Sequence, residues 1–70
     1  MSKREQLDNL RTAAHLATSV DPTNREAQRD VARRIYYELD KAADLHVTAE
    51  EAAQAIVEGL GLQPKEISPN

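Results

Sequence analysis

The sequence predicts an all-α fold. The expected architecture is a small three-helix bundle: a long helical hairpin plus a short third helix, with an extended C-terminal tail. Three observations predict it. Apolar residues recur at the helical period in three segments. Each segment opens with Ser or Thr followed three residues later by Glu, the spacing of a capping box. These are "SKRE" at Ser2–Glu5, "TNRE" at Thr23–Glu26 and "TAEE" at Thr48–Glu51. No stretch alternates apolar with polar residues as a half-buried strand does. The spacing assigns residues 1–61 to the three-helix domain and residues 62–70 to a partly disordered tail.

The first helix is expected from Lys3 to Ser19. At about 100° per residue, Leu7, Leu10, Ala14 and Ala17 share one narrow stripe, widened by Ala13 and Val20. Leu16 falls off that stripe and needs a second contact or stays exposed. "DPT" at 21–23 ends the helix, because Pro22 biases Asp21 away from helical geometry. The second helix is the longest, from Asn24 to Asp44 or Leu45. Val31, Ile35, Leu39 and Ala42 form its spine, with Ala27, Ala32 and Ala43 at the margins. The third is expected from Ala49 to Glu58, with Ala49, Ala52, Ala53, Ile56 and Leu60 facing inward. Gly59 and Gly61 then serve as C-terminal stops. In the tail "LQPKEISPN", Leu62 and Ile67 offer anchors. The short turn at 21–23 makes the first two helices an antiparallel hairpin, with the third packed across it.

Composition narrows the function. The chain has 70 residues, with seven Leu, three Ile and four Val, and no Phe, Trp or Cys. A single core in so short a chain rarely supplies more than about 3–5 kcal/mol, so small proteins usually need a further staple. Without Cys there is neither a disulfide nor a thiolate metal site. Self-association, a dimer first of all, or folding onto a partner is the remaining staple. No apolar run approaches the roughly 18 residues of a membrane span. The charged start "MSKREQLDNL" lacks the apolar core of a signal peptide. A soluble cytoplasmic chain is therefore expected, without membrane contact. Its Ala-rich, Arg-over-Lys composition fits a GC-rich bacterial or phage genome.

The net charge of −3 is unevenly placed. Residues 1–22 and 23–46 are each balanced. The acidic excess lies in residues 47–70, where Lys65 stands against Glu50, Glu51, Glu58 and Glu66.

Catalysis is not expected. His15 and His46 are the only histidines, and no spacing of either with an acid suggests a metal site. Ser2, Ser19 and Ser68 sit at expected ends or tails, without a base near in sequence. The two glycines bracket Leu60, so there is no phosphate-cradling loop. No cofactor is expected.

The stretch "ADLHVTAEEAAQAIV" frames the one nucleic-acid question. Ala42, Leu45, Val47, Thr48, Ala52 and Ile56 have the residue types of a small packing residue, two apolar turn residues, a helix cap and two inward positions. In these residues the segment 42–56 resembles the helix-turn-helix family, which implies a DNA-reading regulator. His46 stands where that family usually has Gly at a positive φ. The second helix of the motif exposes Glu50, Glu51, Gln54 and Glu58, and phosphate rows on either side of a groove repel such a face. DNA reading is therefore the alternative function.

The leading expectation is a non-enzymatic protein–protein interaction module, a regulator or adaptor of a larger protein. Arg25, Arg29 and Arg33, at i, i+4 and i+8, make a ridge on the second helix. Tyr36 is placed on the core-facing margin of that ridge. Tyr37 points away from Ile35 and is expected to be exposed, beside Arg33. Tyr and Arg are enriched at interface hot spots. Asp30 is in reach of Arg34 at i, i+4. These five residues (Arg25, Arg29, Arg33, Tyr36, Tyr37) are the expected partner contact. Leu16, Glu50, Gln54 and Glu58 are candidates for self-association, with the acidic third helix complementing the basic ridge.

Overall fold

In the computed structural model, which describes residues 1–61, the chain forms three helices: α1 (Lys3–Ala17), α2 (Arg25–Asp44) and α3 (Ala49–Gly59). The all-α three-helix architecture is the expected one. The tail at 62–70, with its anchors Leu62 and Ile67, lies outside the described residues.

Two of the three capping boxes form as expected. The Ser2 hydroxyl accepts from the Glu5 amide and the Glu5 carboxylate accepts from the Ser2 amide. Thr48 and Glu51 do the same at the start of α3. The box expected at Thr23–Glu26 does not form. Asn24 is the cap of α2 and its Oδ1 accepts from the Ala27 amide at 3.0 Å. Thr23 is diverted: its amide and hydroxyl both donate to Asp21 Oδ1, at 2.9 and 2.8 Å. Asp21 thus closes an Asx turn around Pro22 and leaves the capping to the next residue. An Asn cap stabilises a helix by about 1 kcal/mol.

The helix ends have separate causes. α1 stops at Ala17, two residues before the expected end, because the chain tightens into three-residue hydrogen bonds. Thr18, Ser19 and Val20 donate to the carbonyls of His15, Leu16 and Ala17. α2 ends in a Schellman turn, with the Val47 amide bonded to Ala42 O and the His46 amide to Ala43 O. That turn needs a residue in the left-handed region, and His46 supplies it at φ 63°. At the end of α3, Gly61 takes the left-handed role at φ 83° and its amide bonds to Glu58 O.

Gly59 is not a stop, as the sequence suggested, but the last residue of α3, and it lies close against α1. A Cβ there would lie 2.3 Å from the Arg11 carbonyl oxygen and 2.8 Å from Ala14 Cβ. This approach explains the face that α3 buries. Ala52 and Ala55 are buried and Ile56 is half-buried, whereas Ala49, Ala53 and Leu60 are exposed. The expected inward face is therefore turned by roughly 60–70° at 100° per residue. The small side chains, not the bulky ones, face α1.

α1 packs along both other helices, while α2 and α3 barely touch. The third helix therefore lies on α1 rather than across the hairpin. The domain is 15 Å thick against 35 and 34 Å in the other directions. Leu10, Ala42, Ala52 and Ala55 make the buried cluster, joined by half-buried Leu7, Leu39, Val47 and Ile56. Leu10 is the only large apolar side chain fully buried among the described residues. Val31, Ile35 and Leu39 of the α2 spine are half-buried, and Leu16, off the α1 stripe, is 42% exposed. No described helix is long and apolar enough to cross a membrane.

Substituting Gly59 with Ala should lower the thermal midpoint despite the better helix propensity of Ala. The overpacking should cost about 1–3 kcal/mol, against a propensity gain of about 1 kcal/mol. A thermal melt followed at 222 nm measures the balance, and an unchanged or raised midpoint would contradict the close α1–α3 contact.

Candidate interaction surface on the second helix

α2 has two chemically different sides. Its inner side carries a buried polar tie to α1. Gln6 and Glu38 are both buried, at 0% and 3% exposure. Gln6 Nε2 donates to the Glu38 carbonyl at 2.9 Å and to Glu38 Oε1 at 2.8 Å. Arg34 Nε, one turn back on α2, donates to Glu38 Oε2 at 2.8 Å. Asn9 Nδ2 reaches Gln6 Oε1 at 3.4 Å, so every polar end of the tie is met. Among the described residues no buried side-chain nitrogen or oxygen lacks a partner. Arg34 was expected to pair with Asp30; it pairs with Glu38, which lies one turn toward the C-terminus on the inner side.

Burial alone would push the Glu38 carboxyl up. The hydrogen bonds from Gln6 and Arg34, with the nearby charges of Arg34 and Lys41, outweigh it and hold the group below its ordinary value of 4.5. Nothing in this tie looks reactive: its donors and acceptors are satisfied by each other, which is a structural role.

The outer side of α2 is open. Arg25, Arg29 and Arg33 are all exposed and, with Glu26 and Asp30, line one shallow depression. No carboxylate among the described residues lies within ion-pair distance of these three guanidinium groups. Tyr37 is 58% exposed, as its position opposite Ile35 predicted. The Lys41 ammonium stands 5.2 Å from the centre of its ring, a cation–π contact that steadies the side chain. Tyr36 was placed on the core-facing margin but is 73% exposed. α3 packs on α1 and barely touches α2, which leaves that flank of α2 uncovered. All five expected contact residues are therefore on the surface of one helix.

The residues considered for self-association are scattered. Leu16 is exposed near the end of α1, and Glu50 and Gln54 are exposed on α3. Glu58 is already engaged: its Oε1 accepts from Arg11 Nε at 2.7 Å and its Oε2 from Gln54 at 3.3 Å. Arg11 is shared with Asp8. Lys3 Nζ likewise reaches Glu51 Oε1 at 3.2 Å. Bases of α1 thus neutralise part of the acidic side of α3. The hydrogen bond from Arg11 holds the Glu58 carboxyl below its ordinary value, and the Thr48 amide followed by Lys3 does so for Glu51.

Sequence reasoning did not find the Gln6–Glu38 tie. The signal was present: Gln6 adjoins Leu7 and Leu10 on the α1 stripe, and Glu38 lies one turn from Arg34 and Ala42. Among the described residues no three His, Asp or Glu side chains converge as metal ligands would. An apolar hollow of about 260 Å³ lies at the α1–α2 corner, lined by Ala17, Val20, Pro22, Gln28 and Val31. No protein-family model, curated protein or solved structure matches this chain.

Two outcomes follow from the tie. Replacing Gln6 with Leu removes the donor to a buried carboxylate oxygen and should destabilise the domain by about 1–3 kcal/mol, read as a lower urea midpoint. Glu38, Glu51 and Glu58 all have depressed folded-state values, so each contributes stability above the unfolded value that is lost as pH falls through the folded one. Resistance to urea should therefore weaken progressively below pH 4.5, the ordinary glutamate value. Glu38→Gln should flatten that acid limb; an unaltered limb would mean that Glu38 is not held as the carboxylate.

Proposed function

We propose that the chain is a small non-enzymatic protein–protein interaction module, a regulator or adaptor that occupies a surface on a larger protein through the outer side of α2. One observation carries the reading. Lys3, Arg11 and Arg34 are engaged by carboxylates within the fold, whereas Arg25, Arg29 and Arg33 stand beside two exposed tyrosines with no such partner among the described residues. Charge of this kind steers encounter, and an aromatic ring supplies buried area once contact is made. A cytoplasmic setting in a bacterial or phage context belongs to the same proposal.

The alternative is a nucleic-acid-binding regulator using residues 42–56. The positive φ of His46 and the turn it closes favour it. The exposed Glu50, Gln54 and Glu58 of α3 disfavour it, because no base stands among them to meet a phosphate. Retardation of random duplex at low salt, lost steeply as salt rises, would favour this alternative.

The double substitution Arg33→Ala, Tyr37→Ala tests the first reading. Capture of a host protein by the immobilised chain should fall about tenfold or more, the loss expected when hot-spot side chains are truncated. Helicity by circular dichroism should stay at the wild-type level, since both side chains are exposed. Undiminished capture would contradict the proposal, and a collapse of helicity would make the ridge structural.

A further inference from the structure

Beside its charged outer arc, α2 carries an apolar strip that the fold leaves partly uncovered. Ala32, Ile35, Tyr36, Leu39 and Ala43 recur at i, i+3, i+4, i+7 and i+11 and span an arc of about 100°. Ala32, Tyr36 and Ala43 are exposed, and Ile35 and Leu39 are half-buried. The spacing is that of a helix face which packs on another helix.

Apart from Glu26, the charges bordering this strip are segregated along the helix. Arg25, Arg29 and Arg33 occupy the N-terminal part, and Asp40 and Asp44 the C-terminal part. At about 100° per residue these five fall within one arc of roughly 100° that adjoins the strip. All five are exposed, and none forms an ion pair with another described residue. Glu26 lies at the outer edge of this arc, in line with Asp44, and Asp30 lies farther round, beside Tyr37.

The segregation has a centre. Arg33 and Asp40 are equally distant in sequence from the point between Tyr36 and Tyr37, and so are Arg29 and Asp44. If two copies of α2 pack antiparallel through the strip, with a two-fold axis at that point, each basic half lies over the other's acidic half. Arg33 then faces the second copy's Asp40, and Arg29 faces its Asp44. The symmetry repeats both contacts. A parallel pairing through the same strip puts the two charged arcs on opposite sides and forms neither contact.

We infer that α2 is the interface of an antiparallel homodimer, its strip covered by a second copy of this chain and its register set by Arg33–Asp40 and Arg29–Asp44 pairs across the axis. The inference rests on the reading of α2 as the contact surface and names its first occupant. A second copy fits because the strip and its charges are self-complementary about one point. It also supplies the apolar burial that a core with one fully buried large side chain lacks.

A charge-swap experiment on the purified full chain tests this. The wild type should sediment as a dimer and nothing larger, since the two-fold contact closes on itself. Arg33→Glu alone sets like charges against each other, as does Asp40→Arg alone. Each should weaken self-association by about tenfold or more. An equimolar mixture of the two single variants should recover a dimer, because opposite charges meet again at both places. Arg29→Glu with Asp44→Arg provides a second pair if either first variant loses helicity. A monomeric wild type, a dimer insensitive to the single changes, or a mixture that stays monomeric would overturn the inference. Self-association is read on the purified chain alone. It can therefore fail while Tyr37-dependent capture of a host protein persists, and the reverse outcome would overturn the adaptor reading alone.

Discussion

The backbone of α1 touches the backbone of α3 almost directly at Gly59, where the Arg11 carbonyl leaves no space for a side chain. Ala13, Ala14, Ala42, Ala52 and Ala55 extend the same principle to the rest of the buried surface. Small residues let helices approach closely, but each buries little area. Fully burying a large aliphatic side chain is favourable by about 1.5–3 kcal/mol, and here only Leu10 is so placed. α3 packs on α1 and barely touches α2. Leu7, Ile35, Leu39, Val47 and Ile56 are left half-buried.

Polar ties then determine how the helices are arranged. Gln6, Glu38 and Arg34 register α1 against α2 at one depth only, because a shift of either helix would strand a buried carboxylate. On the other side, Lys3–Glu51 and Arg11–Glu58 register α1 against α3 in water-exposed positions. Screening by solvent makes these two pairs weak, so their part is to select the register rather than to hold the helices together. Lys3 and Arg11 of α1 are thus engaged by carboxylates of α3. Arg25, Arg29 and Arg33 on the outer arc of α2 have no such partner among the described residues.

Most of the fold was legible from local signals. Ser2, Thr48 and the positive-φ turn at His46 act within a few residues of chain, and local chemistry decides them. Thr23 misled because Asp21, two residues away, competed for the same hydroxyl. The inward face of α3 was misjudged for a different reason. Hydrophobic periodicity ranks Ile56 and Leu60 above Ala55 and Gly59, yet the packing is set by which residues are small enough. The Gln6–Glu38 tie joins positions 32 apart in sequence, and no periodic pattern announces a long-range polar contact. At the candidate surface, exposure of Arg25, Arg29, Arg33 and Tyr37 was read from helical geometry alone. Tyr36 was not, because its exposure depends on where α3 goes.

A small core and a self-complementary outer helix support the proposal that association completes the fold. If so, folding and self-association are linked, and stability depends on chain concentration by mass action. The most direct measurement is the thermal unfolding midpoint of the wild-type chain over about a hundredfold range of concentration. The account predicts a midpoint that rises steadily with concentration. A midpoint that does not move would show that the monomer holds itself together without a partner.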